Sequence, residues 1–308
     1  MTTSRGNVRL LAIRRLTSRL ATAVICGIMV AACATLPGSL HATPISPEAY
    51  QNELRADGNA LKATLDGIGA APPLEPLASQ VDSAASAVRA AAQRLTTIVP
   101  PTQYAAAQAN LVSALDQLAS QLSGVRAQVQ SRELCAAPSV MATLSSLPGA
   151  DALRQAAPTL GPAGADLTAA LPAPEPLPDR HEHNGTVLRA PGSGRGEIAA
   201  ENVPDHDSAV TLSQDGRVVA SFYVARGETA QMANIPDGTY DVFFTSGADW
   251  DGGEFTRSCT FQRFDKTATF ATTETQNRIT YTKLTVILYP APNGNARVVD
   301  VPPDSFPK

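Results

Sequence analysis

Apolar residues recur every three or four positions through much of the first half of the chain, and this spacing predicts amphipathic helices. Ser46, Pro47 and Glu48 mark a helix start: the serine can cap, the proline fits the first turn, and the acid faces the positive helix end. The first helix is predicted from about Pro47 to Gly67. The apolar stripes of the three predicted helices are Tyr50, Leu54, Leu61, Leu65 and Ile68; Leu77, Val81, Ala84, Val88, Ala91, Leu95 and Ile98; and Leu111, Leu115, Leu118, Leu122, Val125 and Val129.

Paired prolines at positions 72–73 and 100–101 separate the three helices. Short connections fold neighbouring helices back on each other, so residues 46–135 are predicted to form an antiparallel three-helix bundle. The stripes could instead form a zipper between chains, but packing within one chain satisfies all three and is the preferred interpretation. No histidine, cysteine or paired acid occupies a stripe position, so no metal or cofactor is predicted in the bundle.

Between residues 136 and 183 the helical pattern weakens and prolines accumulate. Two short amphipathic pieces, Val140–Leu147 and Ala150–Ala157, precede prolines at 158, 162, 172, 174, 176 and 178. Alternating prolines favour an extended chain with little compact structure. We therefore predict short helices and a proline-rich linker, with the two halves folding separately and joined at about residues 171–180.

From residue 184 the apolar period changes to two, which is typical of β-strands. Asp215-Gly216 predicts a tight hairpin, and Ile235-Pro236-Asp237-Gly238 predicts a turn. Further strands are predicted at Phe255–Phe264, Thr267–Thr272 and Thr280–Leu288. About seven or eight short strands without an intervening helix indicate an antiparallel β-sandwich, prealbumin-like or immunoglobulin-like, over residues 184–308. The predicted fold class is α + β, with the helical bundle and the sandwich as separate domains.

The first 32 residues have the pattern of an export signal. Five arginines and no acid precede the uncharged apolar stretch Leu20–Ala32, which ends in Val30-Ala31-Ala32-Cys33. This run looks like the lipobox of bacterial lipoproteins, and that resemblance implies a lipid attached to Cys33. Cleavage before Thr35 or Thr43 would instead release the chain, and an uncleaved membrane anchor is the third alternative.

Charge and cysteine content narrow the function classes. Removal of residues 1–32 takes away five of the 24 basic residues and none of the 28 acidic ones, so the net charge changes from −4 to −9. An acidic chain lacks the basic surface that nucleic acids require, so no nucleic-acid partner is predicted.

Beyond Cys26 in the signal and Cys33, only Cys135 and Cys259 remain, and export favours a disulfide between them. The alternative is that Cys259 is a reduced thiol in the core.

Six short runs in the C-terminal part of the chain carry a resemblance to known sequences. They are Asn184-Gly185-Thr186, Gly194-Arg195-Gly196-Glu197-Ile198, Ile235-Pro236-Asp237-Gly238-Thr239-Tyr240, Ser246-Gly247-Ala248-Asp249-Trp250-Asp251, Phe255-Thr256-Arg257-Ser258-Cys259 and Gly294-Asn295-Ala296. On these runs, roughly the last 125 residues resemble a group of uncharacterised exported bacterial lipoproteins that combine an N-terminal helical bundle with a C-terminal β-sandwich module. The resemblance implies no activity, ligand or catalytic residue.

The densest polar cluster is a predicted loop that contains Asp249, Trp250 and Asp251. Its acids could hold calcium and its tryptophan could stack on a sugar ring, although Trp250 packed back on the sandwich is the plainer alternative. The triplets His181-Glu182-His183 and Asp205-His206-Asp207 lack the helical spacing of a zinc site. No nucleophile elbow or phosphate loop is present. We therefore predict no catalytic residue, metal or cofactor.

Together these patterns predict an exported, lipid-anchored protein of the cell envelope, with secretion as the alternative. Its role is predicted to be non-catalytic, either structural or in binding, with the sandwich presenting loops to an envelope protein or a glycan. The alternatives are a carbohydrate-recognising module and, next, a wall-associated hydrolase.

Overall fold

The computed structural model describes residues 43–203, 205–289 and 296–307, so Cys33 and the rest of the predicted export signal lie outside the described residues. Three long helices come first, and the side-chain oxygen of Ser46 caps the first by accepting a hydrogen bond from the Ala49 amide at 3.1 Å. Three shorter helices follow them. The helices are α1 (Pro47–Gly69), α2 (Glu75–Thr97), α3 (Ala105–Gln130), α4 (Ala137–Ser145), α5 (Pro148–Ala156) and α6 (Pro162–Ala169).

All six helices contribute to one apolar core. The predicted stripes of the long helices are buried apart from Ile98, which is half-buried. Helix α2 packs along α3, while α1 packs against both α2 and α6. Helix α6 lies in the segment predicted as linker, and its Leu167 is 1% exposed. Sequence periodicity does not reveal α6, because a helix of eight residues has too few turns to show a stripe.

One acid is buried among these helices. Asp57 of α1 is 4% exposed and forms an ion pair with Arg94 of α2. Burial raises the pKa of Asp57, and the hydrogen bond and charge of Arg94 lower it only in part. The pair therefore fixes the position of α1 against α2 at the cost of removing a carboxylate from water.

The second half consists of strands, mostly antiparallel. They are β1 (Val187–Arg189), β2 (Gly196–Glu201), β3 (Asp207–Gln214), β4 (Arg217–Val224), β5 (Thr229–Ile235), β6 (Gly238–Trp250), β7 (Phe255–Phe264), β8 (Ala268–Phe270), β9 (Thr272–Thr275), β10 (Arg278–Tyr281), β11 (Lys283–Ile287) and β12 (Val298–Asp300). The larger sheet has the order β1-β4-β3-β6-β7-β12, with β8 also paired to β6. A three-stranded sheet has the order β11-β2-β5, and β9 and β10 form a separate hairpin.

Two features of these sheets differ from the prediction. The region that was predicted as the strand Thr280–Leu288 divides into β10 and β11, and β11 pairs with β2 in parallel. A parallel pair joins strands that are distant in sequence, so local alternation cannot reveal it.

The predicted turns are confirmed. Asp215 and Gly216 connect β3 to β4 with φ angles of 51° and 75°, the left-handed conformation that a two-residue hairpin requires. Pro236 and Asp237 connect β5 to β6, and the Tyr240 hydroxyl donates to the Pro236 carbonyl at 3.0 Å. Apolar side chains of the larger and the three-stranded sheets then share one core, which includes Ile198, Met232, Val210, Phe222 and Phe244.

The helical and strand parts meet through a short backbone ladder. The amides of Cys135, Ser258 and Cys259 donate to the carbonyls of Thr256, Glu133 and Arg132 at 2.7, 3.1 and 3.0 Å. Residues 132–135 thus lie along β7 as an added edge. The described residues from Thr43 to Pro307 belong to one compact unit, and the junction predicted at about 171–180 lies inside it. Separate folding of the two halves stays a prediction.

The proline-rich segment is bound along its length. Arg154 donates to the Pro172 carbonyl at 2.7 Å, and the Glu175 amide donates to the Ser145 hydroxyl at 3.1 Å. Arg257 of β7 donates to the Pro178 carbonyl at 2.6 Å. The segment pairs with no strand, and side chains of both the helical part and the strand part hold it on the surface.

A pair of substitutions tests whether α6 belongs to the core. Leu167→Ala removes a buried side chain and should lower the free energy of unfolding by about 2–4 kcal/mol. The matched control Leu177→Ala lies in the proline-rich segment, where the side chain is 47% exposed, and should cost under about 0.5 kcal/mol. Urea denaturation measures both, and equal small losses would show that α6 is not part of the core.

Candidate functional site

A densely hydrogen-bonded polar site lies where the proline-rich segment ends against the strands. The guanidinium of Arg180 donates twice to Asp249 at the end of β6, from Nε to Oδ1 at 2.8 Å and from Nη2 to Oδ2 at 2.7 Å. The Arg180 backbone amide adds a third bond to Oδ1 at 2.9 Å. Thr256 of β7 donates its hydroxyl to Oδ2. The Asp249 carboxylate is therefore fully engaged.

These bonds determine the ionisation of Asp249, whose side chain is 0% exposed. Burial by itself raises the pKa of this carboxyl, but the hydrogen bonds from Arg180 and Thr256 outweigh it and lower the pKa to about 2. Asp249 also has a φ of 58°, which is unusual for a residue other than glycine. A residue held in this conformation needs support from its surroundings, and the Arg180 pair supplies it.

The next residue, His181, binds a second buried carboxylate. Its Nδ1 lies 2.5 Å from Oδ2 of Asp207, the first residue of β3, and the Arg226 amide donates to Oδ1 at 2.8 Å. Burial raises the pKa of Asp207, but the Tyr223 hydroxyl, the Arg226 amide and His181 outweigh it, so the pKa is lowered. Burial and then the Asp207 charge raise the pKa of Tyr223 above its usual range.

We call Arg180, His181, Asp207 and Asp249 the carboxylate latch. Two consecutive residues of the extended segment each bind an aspartate that is at most 3% exposed. Because β3 and β6 are neighbours, with Asp207 opposite Gly247, the two carboxylates attach the segment to adjacent strands. The latch can hold this segment in one position.

Trp250, which is predicted to lie in a ligand-binding loop, is not exposed to solvent. Asp249 and Trp250 are the last residues of β6, and Trp250 is 5% exposed. Its ring makes edge contacts with Tyr223 and Phe255, at centroid distances of 5.8 and 4.9 Å. Trp250 therefore packs back on the strands, as the plainer alternative predicts. The face of its ring is not free to stack on a sugar.

Asp251 is the exposed member of the predicted cluster. Its Oδ1 accepts hydrogen bonds from the Gly253 and Glu254 amides, both at 2.9 Å, and this closes the turn between β6 and β7. The two acids of the cluster thus face different surroundings, one buried and one in a turn, and they do not converge as calcium ligands do.

The histidine triplets are brought together only in part. His181 meets Asp207, whereas His183 and His206 contribute backbone carbonyls, which accept from the Thr186 amide and the Asn202 side chain. In the described part of the chain, no group of three histidine, cysteine or acidic side chains is arranged to hold a metal ion. His181 and Asp207 therefore form a hydrogen-bonded pair.

The cysteines pair as the residue count predicts. Cys135 and Cys259 form a disulfide with their Cα atoms 6.4 Å apart. Both are buried, at 2% and 4% exposure, in a cluster with Tyr223, Trp250 and Phe255. The bond covalently joins the end of the helical part to β7, beside the backbone ladder.

No family model, curated protein or solved structure matches this chain. The resemblance to exported lipoproteins therefore stays a prediction from the sequence. Among the described residues, no helix has the length and apolar character needed to cross a bilayer.

Asp249→Asn tests the latch through the pH dependence of stability. The pKa of Asp249 is lowered from 3.8 to about 2 on folding, so its contribution is present above about pH 4 and is lost as the pH falls towards 2. The variant should be about 2 kcal/mol less stable than the parent at pH 7, and the difference should shrink towards pH 2.

Arg180→Ala should reproduce most of this loss, because it leaves a buried carboxylate without its main partner. The control Asp251→Asn removes an exposed carboxylate from the same turn and should cost less than about 1 kcal/mol. Urea denaturation at several pH values measures these effects. A loss that is independent of pH, or is equal for the two aspartates, would contradict the latch.

The disulfide gives a separate prediction. The double variant Cys135→Ala/Cys259→Ala opens a loop with a sequence separation of 124 residues, and the loop-entropy model predicts a loss of about 4–5 kcal/mol. Reduced parent protein is the control and should show a similar loss. Thiol labelling of the non-reduced, unfolded parent should find both cysteines blocked; two reactive thiols would disprove the bond.

Proposed function

We propose that this protein is an exported, lipid-anchored component of the cell envelope with a non-catalytic role, either structural or in binding. In this proposal Cys33 carries the lipid, the helical part forms a bundle-like stalk, and the strand part is a β-sandwich that presents its loops to an envelope protein. A chain released by cleavage before Thr35 or Thr43 is the alternative.

The disulfide is the observation that carries this proposal. Structural disulfides persist in oxidising compartments and are rare in the bacterial cytosol, so a buried Cys135–Cys259 bond supports export. The basic and apolar pattern of residues 1–32 also indicates export, and this evidence comes from the sequence alone.

The geometry of the acids supports a non-catalytic role. Asp207 and Asp249 have lowered pKa values and are bound to internal partners, whereas a general acid needs a raised pKa and access to substrate. The burial of Trp250 weighs against the carbohydrate-binding alternative, because its ring has no open face for a sugar. The burial of Asp249 likewise weighs against the wall-associated hydrolase.

The sandwich interpretation rests on the shared core of the strand part. Inward-facing residues of the larger sheet and of the three-stranded sheet pack in one cluster, as in two sheets that face each other. The bundle interpretation rests on the buried stripes of α1, α2 and α3.

Surface residues indicate where a partner could bind. All four residues of β10 are exposed, and its Ile279 and Tyr281 are 46% and 38% exposed. A hairpin with both faces in water gains little stability from its own contacts, so contact with a partner would stabilise it. Crosslinking on intact cells, compared between the parent and Ile279→Ser, would identify an envelope protein held at this hairpin.

Cys33→Ala tests the anchor. The variant should lose the membrane-bound fraction or accumulate as an uncleaved precursor, because the lipid provides most of the attachment. Cys26→Ala is the matched control within the same signal and should leave the fraction unchanged. Mass analysis of the mature N-terminus is the direct measurement, and an unmodified chain beginning at Thr35 or Thr43 would overturn lipid anchoring.

A further inference from the structure

Three of the long-helix termini meet at one end of the helical part. Thr43 is the first described residue, and the Ile45 amide donates to the Val99 carbonyl at 3.0 Å, which places the start of α1 beside the end of α2. The ring of Tyr50 in α1 stacks on Tyr104, directly before α3, with 5.5 Å between the ring centroids. We call the surface formed by the starts of α1 and α3 and the end of α2 the entry end.

The start of α6 belongs to the same surface. The Gln51 side chain donates to the Leu160 carbonyl at 2.6 Å, and its oxygen accepts a hydrogen bond from the Ala163 amide at 3.0 Å. Because Gln51 lies near the start of α1, residues 157–163 are part of the entry end.

The entry end is poor in charge. Residues 43–47, 95–115 and 155–165, which supply its turns, include no lysine, arginine, aspartate or glutamate. Their exposed side chains are small or polar, such as that of Gln103. Glu48, in the first turn of α1, is an acid that interrupts this uncharged surface. The large apolar side chains that are exposed in the described part of the chain lie elsewhere, so the entry end has no means of inserting into hydrocarbon.

The anchor proposed for Cys33 keeps the entry end close to the membrane. Thr43 lies ten positions after Cys33, and a fully extended chain of ten residues spans at most about 36 Å. Helix α3 has 26 residues, which corresponds to about 39 Å, and the backbone ladder of residues 132–135 lies beyond its far end. The lipid therefore holds the entry end within reach of the bilayer, while the attachment to β7 lies at the opposite end of α3.

Charge determines which surface of the chain can contact lipid headgroups. Anionic lipids give a membrane surface a negative potential, which repels carboxylates. After residue 32 the chain has a net charge of −9, and exposed acids such as Glu53 and Asp116 lie along the long helices. A helical part that lies flat brings such acids to the lipid, whereas an upright one brings the uncharged entry end.

We propose that the entry end is a membrane-contact surface, which rests on anionic lipid headgroups with the helical part upright. This inference rests on the lipid anchor of the proposed function and adds an orientation to it. The strand part then points away from the bilayer, with its attachment to the helical part about 39 Å from the lipid. A partner in the envelope meets the strand part at that distance.

Tryptophan fluorescence on vesicles tests this orientation, because the chain contains one tryptophan, Trp250. The chain from Cys33 onward is coupled through the Cys33 thiol to a maleimide lipid, since Cys135 and Cys259 are blocked by their disulfide. The vesicles contain phosphatidylcholine, phosphatidylglycerol and a lipid with a nitroxide on its headgroup, which quenches fluorescence only at short range. Gln103→Trp adds a second tryptophan at the entry end, and the added emission should be largely lost.

The matched control is Ser131→Trp, which adds the same side chain at the exposed end of α3. Its emission and that of Trp250 should be retained, because Trp250 lies in the cluster with Cys135, beyond the far end of that helix. Equal quenching at positions 103 and 131 would show that the helical part lies flat, and no quenching at position 103 would show that the entry end stands away from the lipid. Either result would overturn the proposal.

A charge variant tests why this surface contacts the membrane. Thr102→Glu places a carboxylate on the exposed surface of the entry end and should reduce the quenching of the Gln103→Trp variant. High salt should restore the quenching, because it screens the repulsion. Thr273→Glu places the same charge on β9 and should have no effect, and equal quenching with and without Thr102→Glu would contradict the proposal. Mass analysis of the mature N-terminus tests the Cys33 anchor separately, so failure on vesicles would leave the anchor standing.

Discussion

The structure depends on the seam where residues 132–135 lie against β7. Three backbone hydrogen bonds, the Cys135–Cys259 disulfide and the aromatic cluster of Tyr223, Trp250 and Phe255 meet there. A backbone ladder fixes register, and a disulfide removes the long loop from the unfolded ensemble. Together they couple the helical core to the strand core beside the hydrogen bond that the Ser139 hydroxyl of α4 donates to the Thr256 carbonyl of β7. The carboxylate latch is a second attachment, at the extended segment through which the chain passes from the helical part to the strand part.

The latch also explains how an extended proline-rich segment can be ordered. Alternating prolines lose few conformations on folding, but they provide almost no backbone amides for hydrogen bonds. Bonds at Pro172, Glu175 and Pro178 restrain the segment, and Arg180 and His181 then complete the attachment with charge. Since both acceptors are buried aspartates, loss of either partner leaves an uncompensated carboxylate, which costs more than the pair contributes. The two aspartates therefore hold the proline-rich segment in one specific position.

Local patterns in the sequence predicted the local structure well. The stripes from Tyr50 to Val129, the Asp215-Gly216 hairpin and the strand Phe255–Phe264 all follow from periodicity and turn chemistry, which act over a few residues. Export and the number of remaining cysteines favour the Cys135–Cys259 bond, with a reduced Cys259 as the alternative, and the structure contains the bond. The sequence singles out Asp249 as a possible ligand contact, but its partner Arg180 lies 69 residues earlier, and no local signal connects the two. The parallel pairing of β11 and the burial of Trp250 are likewise long-range outcomes. Each depends on which surfaces meet after the chain has folded.

Strand β6 relates these long-range features to one another. Its C-terminal residues Asp249 and Trp250 belong to the latch and the aromatic cluster, while Val242 packs in the core that the two sheets share. Seven residues of extended strand separate Val242 from Asp249, which corresponds to about 23 Å. Sites that far apart with no shared partner contribute independently to stability. The end of β6 therefore holds the helical part, and the region near its start contributes to the core between the two sheets. This division agrees with the lowered pKa values of Asp207 and Asp249 at the attachment, where both carboxylates are buried and have fixed partners.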